Sequence, residues 1–266
     1  MPIAIDARFS FDLSQPTDVL LQFEAADIPE QEILACDCQL TEAKDHARVP
    51  AQDSIGERIW LHAEGHYEVA YTARVEVKRI LAEIATLNRL DPHELPGEAV
   101  EYLFDSRYCP ADRFQSFVSD EFADSDGGAR IEAIRDWVAS HLTYTSGSSD
   151  TNTTALDTFV ERHGICRDYA HLVITLARAS TIPARYVSVY APGVEPPDFH
   201  AVAEVFLADP TIPGGGAWHL IDATGMANPA EMVKIGVGRD AADVAFMTVF
   251  GNADFGDKTV SVRKED

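Results

Sequence analysis

The run His163-Gly164-Ile165-Cys166-Arg167-Asp168-Tyr169-Ala170-His171 sets a thiol two residues after a glycine, at what reads as the start of a helix. A thiol in that position faces unpaired backbone N–H groups and the positive end of the helix dipole, and both favour thiolate over thiol. Gly164 is expected to leave space for a substrate backbone to approach. A nucleophilic thiol needs a base within hydrogen-bond reach, and that base is oriented by a third group. At about 100° per residue, Asp168 lies roughly 200° and His171 roughly 140° around the helix from Cys166. Neither shares its face, so the base must come from elsewhere in the fold.

Downstream, residues 182–190 have strand composition, and His200 opens a further strand with Ala201, Ala203, Val205 and Leu207 on one face. Pro213-Gly214-Gly215-Gly216 reads as a turn, after which Ala217-Trp218-His219-Leu220-Ile221-Asp222 returns as the antiparallel neighbour. The start of the first strand and the end of the second then share one edge of a sheet. Asp222 can accept a hydrogen bond from the His200 imidazole there. Upstream, Ile131, Ile134, Trp137 and Val138 fall on one helix face, with Trp137 in the core, and Thr154 caps a shorter helix carrying Leu156, Phe159 and Val160.

The first 80 or so residues alternate with the period of half-buried strands. Ile3, Ile5, Ala7, Phe9 and Phe11 make one strand, Val19, Leu21 and Phe23 another, and Ile59 with Leu61 a third. Gly65-His66 reads as a hairpin turn leading into Tyr67, Val69, Tyr71, Ala73, Val75 and Val77. Helical spacing begins beyond the Pro- and acid-containing stretch at 91–97. The expected organisation is α+β: an antiparallel β-sandwich over 1–85, then a second domain over 86–266 in which a cysteine-bearing helix packs on an antiparallel sheet.

The 266 residues include 44 acidic and 21 basic side chains, a formal net charge of −23 at pH 7. That field argues against nucleic acid and anionic membrane as partners. It suits a well-solvated surface, and also cationic or amine-bearing substrates. The start, Met1-Pro2-Ile3-Ala4-Ile5-Asp6, lacks the basic region and apolar run of a signal peptide, and no later stretch approaches the roughly 18 apolar residues of a membrane span. Cys36, Cys38, Cys109 and Cys166 do not resemble a disulfide framework in a chain of this length. A cytoplasmic location is expected. Cys36-Asp37-Cys38 does not have the spacing of a zinc pair and no calcium-loop spacing occurs, so neither metal nor cofactor is expected.

Four blocks in order carry a resemblance: Gly164-Ile165-Cys166-Arg167-Asp168-Tyr169-Ala170-His171, Ile182-Pro183-Ala184-Arg185-Tyr186-Val187-Ser188, Asp198-Phe199-His200-Ala201 and Ile221-Asp222-Ala223-Thr224. They resemble the bacterial members of the transglutaminase-like superfamily, often described as candidate cysteine proteases. The resemblance covers about residues 100 to 250, and the N-terminal strands resemble the β-rich domain such proteins often carry. It implies a papain-like catalytic core with Cys166 as nucleophile, His200 as base and then acid, and Asp222 orienting His200. Tyr144 matches a tyrosine that recurs upstream of the cysteine. It is a candidate oxyanion donor beside the Cys166 backbone N–H, with a packed structural tyrosine as the alternative. Ala201-Val202-Ala203 stands where many relatives have a tryptophan. The block 236–246 also resembles relatives, and a packing or site-rim role is expected of it.

Such a triad attacks a peptide or isopeptide amide through a thioester. Water then makes the protein a protease or amidase, the reading the bacterial relatives favour; an amine makes it a transglutaminase. A non-catalytic peptide-binding module is the rival from another class. A third reading has the protein beside a peptide-forming ligase, trimming or transferring its product.

Overall fold

The computed structural model describes residues 1–79, 81–209, 211–212 and 215–265. The alternation that begins at Ile3 continues past Leu13 into a single strand, β1 (Ile3–Leu21). It is followed by β2 (Gln31–Leu40), β3 (Asp45–Pro50) and β4 (Glu57–Val77). β1, β2 and β3 all pair antiparallel with β4. β4 runs straight through Gly65 and His66, so the hairpin turn expected there is a bend within one strand. Gly65 has φ +85°, which a side chain bearing Cβ seldom adopts, and opposite it the β1 register shifts between Leu13 and Thr17. The sheet curls at this bend. Phe23, just past β1, meets Phe9 and Tyr71 edge-on, with ring centroids 5.5 and 5.7 Å away. Both halves of the curled sheet contribute to one core containing Phe11, Leu21, Leu61 and Val75. The two layers of the sandwich thus belong to one continuous sheet.

The helical part comprises α1 (Gly97–Val100), α2 (Gln115–Glu121), α3 (Gly127–His141), α4 (Ala155–Glu161) and α5 (Cys166–Ala179). Two short strands, β5 (Thr143–Tyr144) and β6 (His163–Gly164), pair in parallel between them. Thr154 caps α4 reciprocally: its Oγ1 accepts from Asp157 N–H, and the Asp157 carboxylate accepts from Thr154 N–H at 2.8 Å. α5 packs on a sheet of β7 (Ala184–Tyr190), β8 (His200–Ala208), β9 (Gly216–Ile221) and β10 (Val233–Gly238), in the order β10-β7-β8-β9. Their shared core holds Trp137, Leu172, Val173, Ala203 and Val205. Of the expected turn at 213–216, Pro213 and Gly214 lie outside the described residues, and Gly216 opens β9.

The last strands, β11 (Met247–Val249) and β12 (Asp254–Lys264), pair with β1. The division at residue 86 therefore needs correcting at its far end, because residues 247–264 belong to the first sheet. A long strand edge on β1 would otherwise lack partners. β12 is exposed along most of its length, so its sequence carries little of the alternation that signals a buried face.

Charges join the two sheets. Glu204 on β8 has a side chain with no exposure, and its two oxygens contact Arg185 of β7 at 2.7 Å and Lys234 of β10 at 2.5 Å. Arg185 also reaches Asp53 at 2.8 Å, and Lys234 reaches Glu30. Burial works to raise the Glu204 pKa, but Lys234 and Arg185 outweigh it and hold the group at about 2. Removing the carboxylate charge leaves two buried cations short of a counterion. Glu204→Gln is expected to cost about 3 kcal/mol of stability, read as a lowered urea midpoint; an unchanged midpoint would show that the network is not structural.

Candidate active site

Cys166 is the first residue of α5 and is half-buried, its side chain packed against the core beneath the helix. The chain enters α5 through a local lock: the Asp168 carboxylate turns back to accept the Ile165 N–H at 2.8 Å and the Arg167 guanidinium at 3.1 Å. This makes Asp168 part of the helix start, as its place in the first turn suggested. Gly164 serves the same lock. A Cβ there would stand 2.7 Å from the Asp168 Cβ and 3.0 Å from its Oδ2. The space expected for a substrate backbone is therefore filled by Asp168, and the glycine is needed for packing.

His200 opens β8, and Asp222 follows the last residue of the neighbouring β9. The two side chains meet with Nε2 to Oδ2 at 3.0 Å. Asp222 is itself held: Oδ1 accepts the Thr224 N–H at 2.8 Å and hydroxyl at 2.7 Å, and Oδ2 accepts the Ala227 N–H at 3.1 Å. Thr224 stood in the fourth block of the resemblance without a role and Ala227 was not singled out, although Asp-x-Thr after a strand is the pattern of a side-chain-closed turn. Burial alone would raise the Asp222 pKa; the His200 and Thr224 contacts outweigh it and lower the value.

The His200 ring has a second nitrogen, Nδ1, which is buried and hydrogen-bonds to no group among the described residues. α5, which Cys166 opens, packs on β8, which His200 opens, and this puts the Cys166 sulfur within electrostatic reach of the imidazole. Burial favours the neutral ring, but the Asp222 bond and the Cys166 sulfur together outweigh it and raise the His200 pKa to about 9. β5 and β6 place the last member. Tyr144 pairs opposite Gly164, and Thr145 N–H donates to the Gly164 carbonyl at 2.9 Å. The Tyr144 hydroxyl is thereby set against the Cys166 sulfur and backbone N–H, and burial followed by the Cys166 charge pushes its pKa up to about 12. All four expected site residues thus lie together.

His171 lies elsewhere on α5, as helical geometry required. It is fully buried between Tyr108 and Tyr186, with ring centroids 5.1 and 5.2 Å away, and Nε2 accepts the Ala241 N–H at 3.1 Å. Burial drives its pKa well below the ordinary value, so the ring is a neutral packing element. Asp240 accepts the Tyr108 N–H at 2.9 Å, and Arg178 donates to the Arg239 carbonyl at 2.6 Å. The block 236–246 therefore packs against the back of α5.

The model of the transglutaminase-like superfamily matches residues 116–223, a span that contains Tyr144, Cys166, His200 and Asp222. Among solved structures, the chain is similar to a protein of Cytophaga hutchinsonii described as a candidate cysteine protease. The two are 32% identical with a TM-score of 0.90, and the match covers 100% of this chain and 91% of that one. Among curated proteins it is similar to an uncharacterised protein of Mycobacterium leprae, 26% identical over 196 residues that cover 68% of this chain and 67% of that one. It is also similar to one of Mycobacterium bovis, 33% identical over 127 residues covering 43% of this chain and 40% of that one. The likeness to the Cytophaga protein takes in the curled sheet as well as the cysteine-bearing half, and the chain belongs to the transglutaminase-like superfamily.

Proposed function

We propose that the protein is a cysteine protease or amidase that cleaves peptide or isopeptide amides through Cys166, His200 and Asp222. The observation that carries this reading is the unequal company of the two His200 nitrogens. Nε2 is bound by an anchored carboxylate, and Nδ1 hydrogen-bonds to no group among the described residues, on a ring beside a thiol. The packed His171 also leaves one ring nitrogen without a partner among the described residues, so what sets His200 apart is the anchored carboxylate on one nitrogen together with the thiol beside the ring.

In this mechanism the Cys166 thiolate attacks the amide carbonyl, and the carbonyl π electrons move onto oxygen. The Cys166 N–H, one of the free donors at a helix start, and the Tyr144 hydroxyl stabilise that oxyanion. The His200 imidazolium then gives its proton to the leaving amine, and the tetrahedral species collapses to a thioester. A water loses a proton to His200 and attacks the thioester, releasing the acid and restoring the thiolate. Asp222 keeps the ring oriented throughout and favours its imidazolium form before attack and after hydrolysis.

The first test is mass analysis of a peptide library incubated with wild type and with Cys166→Ala, with and without an added primary amine. Hydrolysis gives products that have gained water, and an excess of amine conjugates would instead assign a transglutaminase. No wild-type-dependent product in either arm would sink the enzyme reading. Reactivity gives a second test: iodoacetamide should alkylate Cys166 far faster than Cys36, Cys38 or Cys109 near neutral pH, with the advantage lost in His200→Ala.

Two further expectations concern single groups. The His200 value of about 9 lies above the 6.5 of a free imidazole. Its protonation therefore adds stability in full below about 6.5, and that contribution is lost as pH rises through about 9. An imidazole NMR titration should show this transition in the wild type and a lower one in Asp222→Asn. Tyr144→Phe should slow turnover by on the order of 100-fold while leaving Cys166 alkylation unchanged; equal turnover would make Tyr144 a packing residue.

A further inference from the structure

We infer that Asp198 and the Phe246 ring form an ammonium-binding subsite beside Cys166, filled in this structure by the chain's own Lys258, and that the substrate carries a cationic group that takes its place. This rests on the reading of Cys166 as nucleophile and names a substrate class for the same site. The Lys258 ammonium donates to Asp198 Oδ2 at 2.6 Å and lies 5.6 Å from the centroid of the Phe246 ring. A carboxylate with an aromatic face is the arrangement that recognises an ammonium. Both halves are fixed: Asp198 Oδ1 accepts the Phe199 N–H at 2.7 Å, and Phe199 stacks on Phe246 at 5.0 Å.

The subsite adjoins the chemistry. Asp198 stands two residues before His200 on the loop that leads into β8, and Phe199 between them carries the stack on Phe246. Beside the ion pair, a cavity of about 180 Å³ opens between this loop and β12, its charged lining among the described residues being Glu195 and Asp198. The pair can be displaced, because Lys258 and Asp198 keep 29% and 38% of their side-chain surface exposed, and ion pairs that open to water are weakly held. The net charge of −23 also draws cations toward the molecule.

The test uses the charge preference of Cys166 labelling in the full chain carrying Cys36→Ser and Cys38→Ser. The probes are the trimethylammonium-ethyl (cationic), sulfonatoethyl (anionic) and methyl (neutral) methanethiosulfonates. Lys258→Met should raise the ratio of cationic to anionic labelling about tenfold by uncovering Asp198. Adding Asp198→Asn should return the ratio to the wild-type value, and Lys258→Arg should leave it there. Lys264→Met removes the same charge further along β12 and should leave the ratio unmoved. The inference is overturned if Lys258→Met leaves the ratio unchanged while the neutral reagent labels at the wild-type rate, or if Lys264→Met raises it equally. If the neutral reagent does not label Cys166 in the wild type, the nucleophile assignment has failed, and the subsite falls with it.

Discussion

A carboxylate with no exposed surface, Glu204, ties the strand that begins at His200 to both halves of the chain. A buried carboxylate survives only where opposite charges meet its oxygens. Here the antiparallel register supplies the first of them, since Arg185 stands directly across from Glu204. Lys234 supplies the second from the other side of β7. Both cations reach onward to Asp53 and Glu30 in the N-terminal region. That region therefore completes the charge balance beneath the sheet carrying His200, and the two parts of the chain share one electrostatic unit.

The four side chains of the proposed mechanism all sit at ends of elements: Cys166 at a helix start, His200 at a strand start, Asp222 just past a strand end, and Tyr144 on a two-residue strand. Ends are where backbone donors remain free, which suits oxyanion binding, but they also fray. Each end has its own restraint. Asp168 holds the Ile165 N–H, Thr224 and Ala227 hold Asp222, and the β5–β6 pairing holds Tyr144. Such supports place reacting groups before substrate arrives, so less of the binding energy goes into ordering them.

The placement of the candidate site residues was legible from the sequence because its parts are local signals: a thiol at a helix start, a histidine and an aspartate at matching ends of a hairpin. The supports were less legible. Gly164 reads equally well as room for a ligand or room for a side chain, and only the position of the Asp168 Cβ separates the two. In the N-terminal half the apolar alternation gave the segments of β1 and β4 and their buried faces, but not the mostly exposed β2 and β3, nor the continuity of each long strand, because a bend at Gly65 and a turn there carry the same residues. The return of β12 to β1 was unreadable for a different reason. Val260 and Val262 read as a last strand, but the other side chains are mostly exposed and the pairing is made by the backbone, which does not name the partner strand.

A net charge of −23 is unfavourable for the proposed reaction, which builds an oxyanion, so in that mechanism the site supplies positive potential locally. The first turn of α5 gives partial positive charge at Cys166. The larger share falls to His200, and Asp222 is what makes that share available. Burial alone would leave the imidazole neutral, while the bond to Asp222, helped by the Cys166 sulfur, lifts its pKa to about 9 and keeps it charged at neutral pH. Asp222 adds a further negative charge to an acidic protein, yet its effect at the sulfur is to secure a cation there. In this chain the aspartate thus holds a charge as well as a geometry, and its turn of Thr224 and Ala227 is the structure on which the proposed thiolate–imidazolium pair rests.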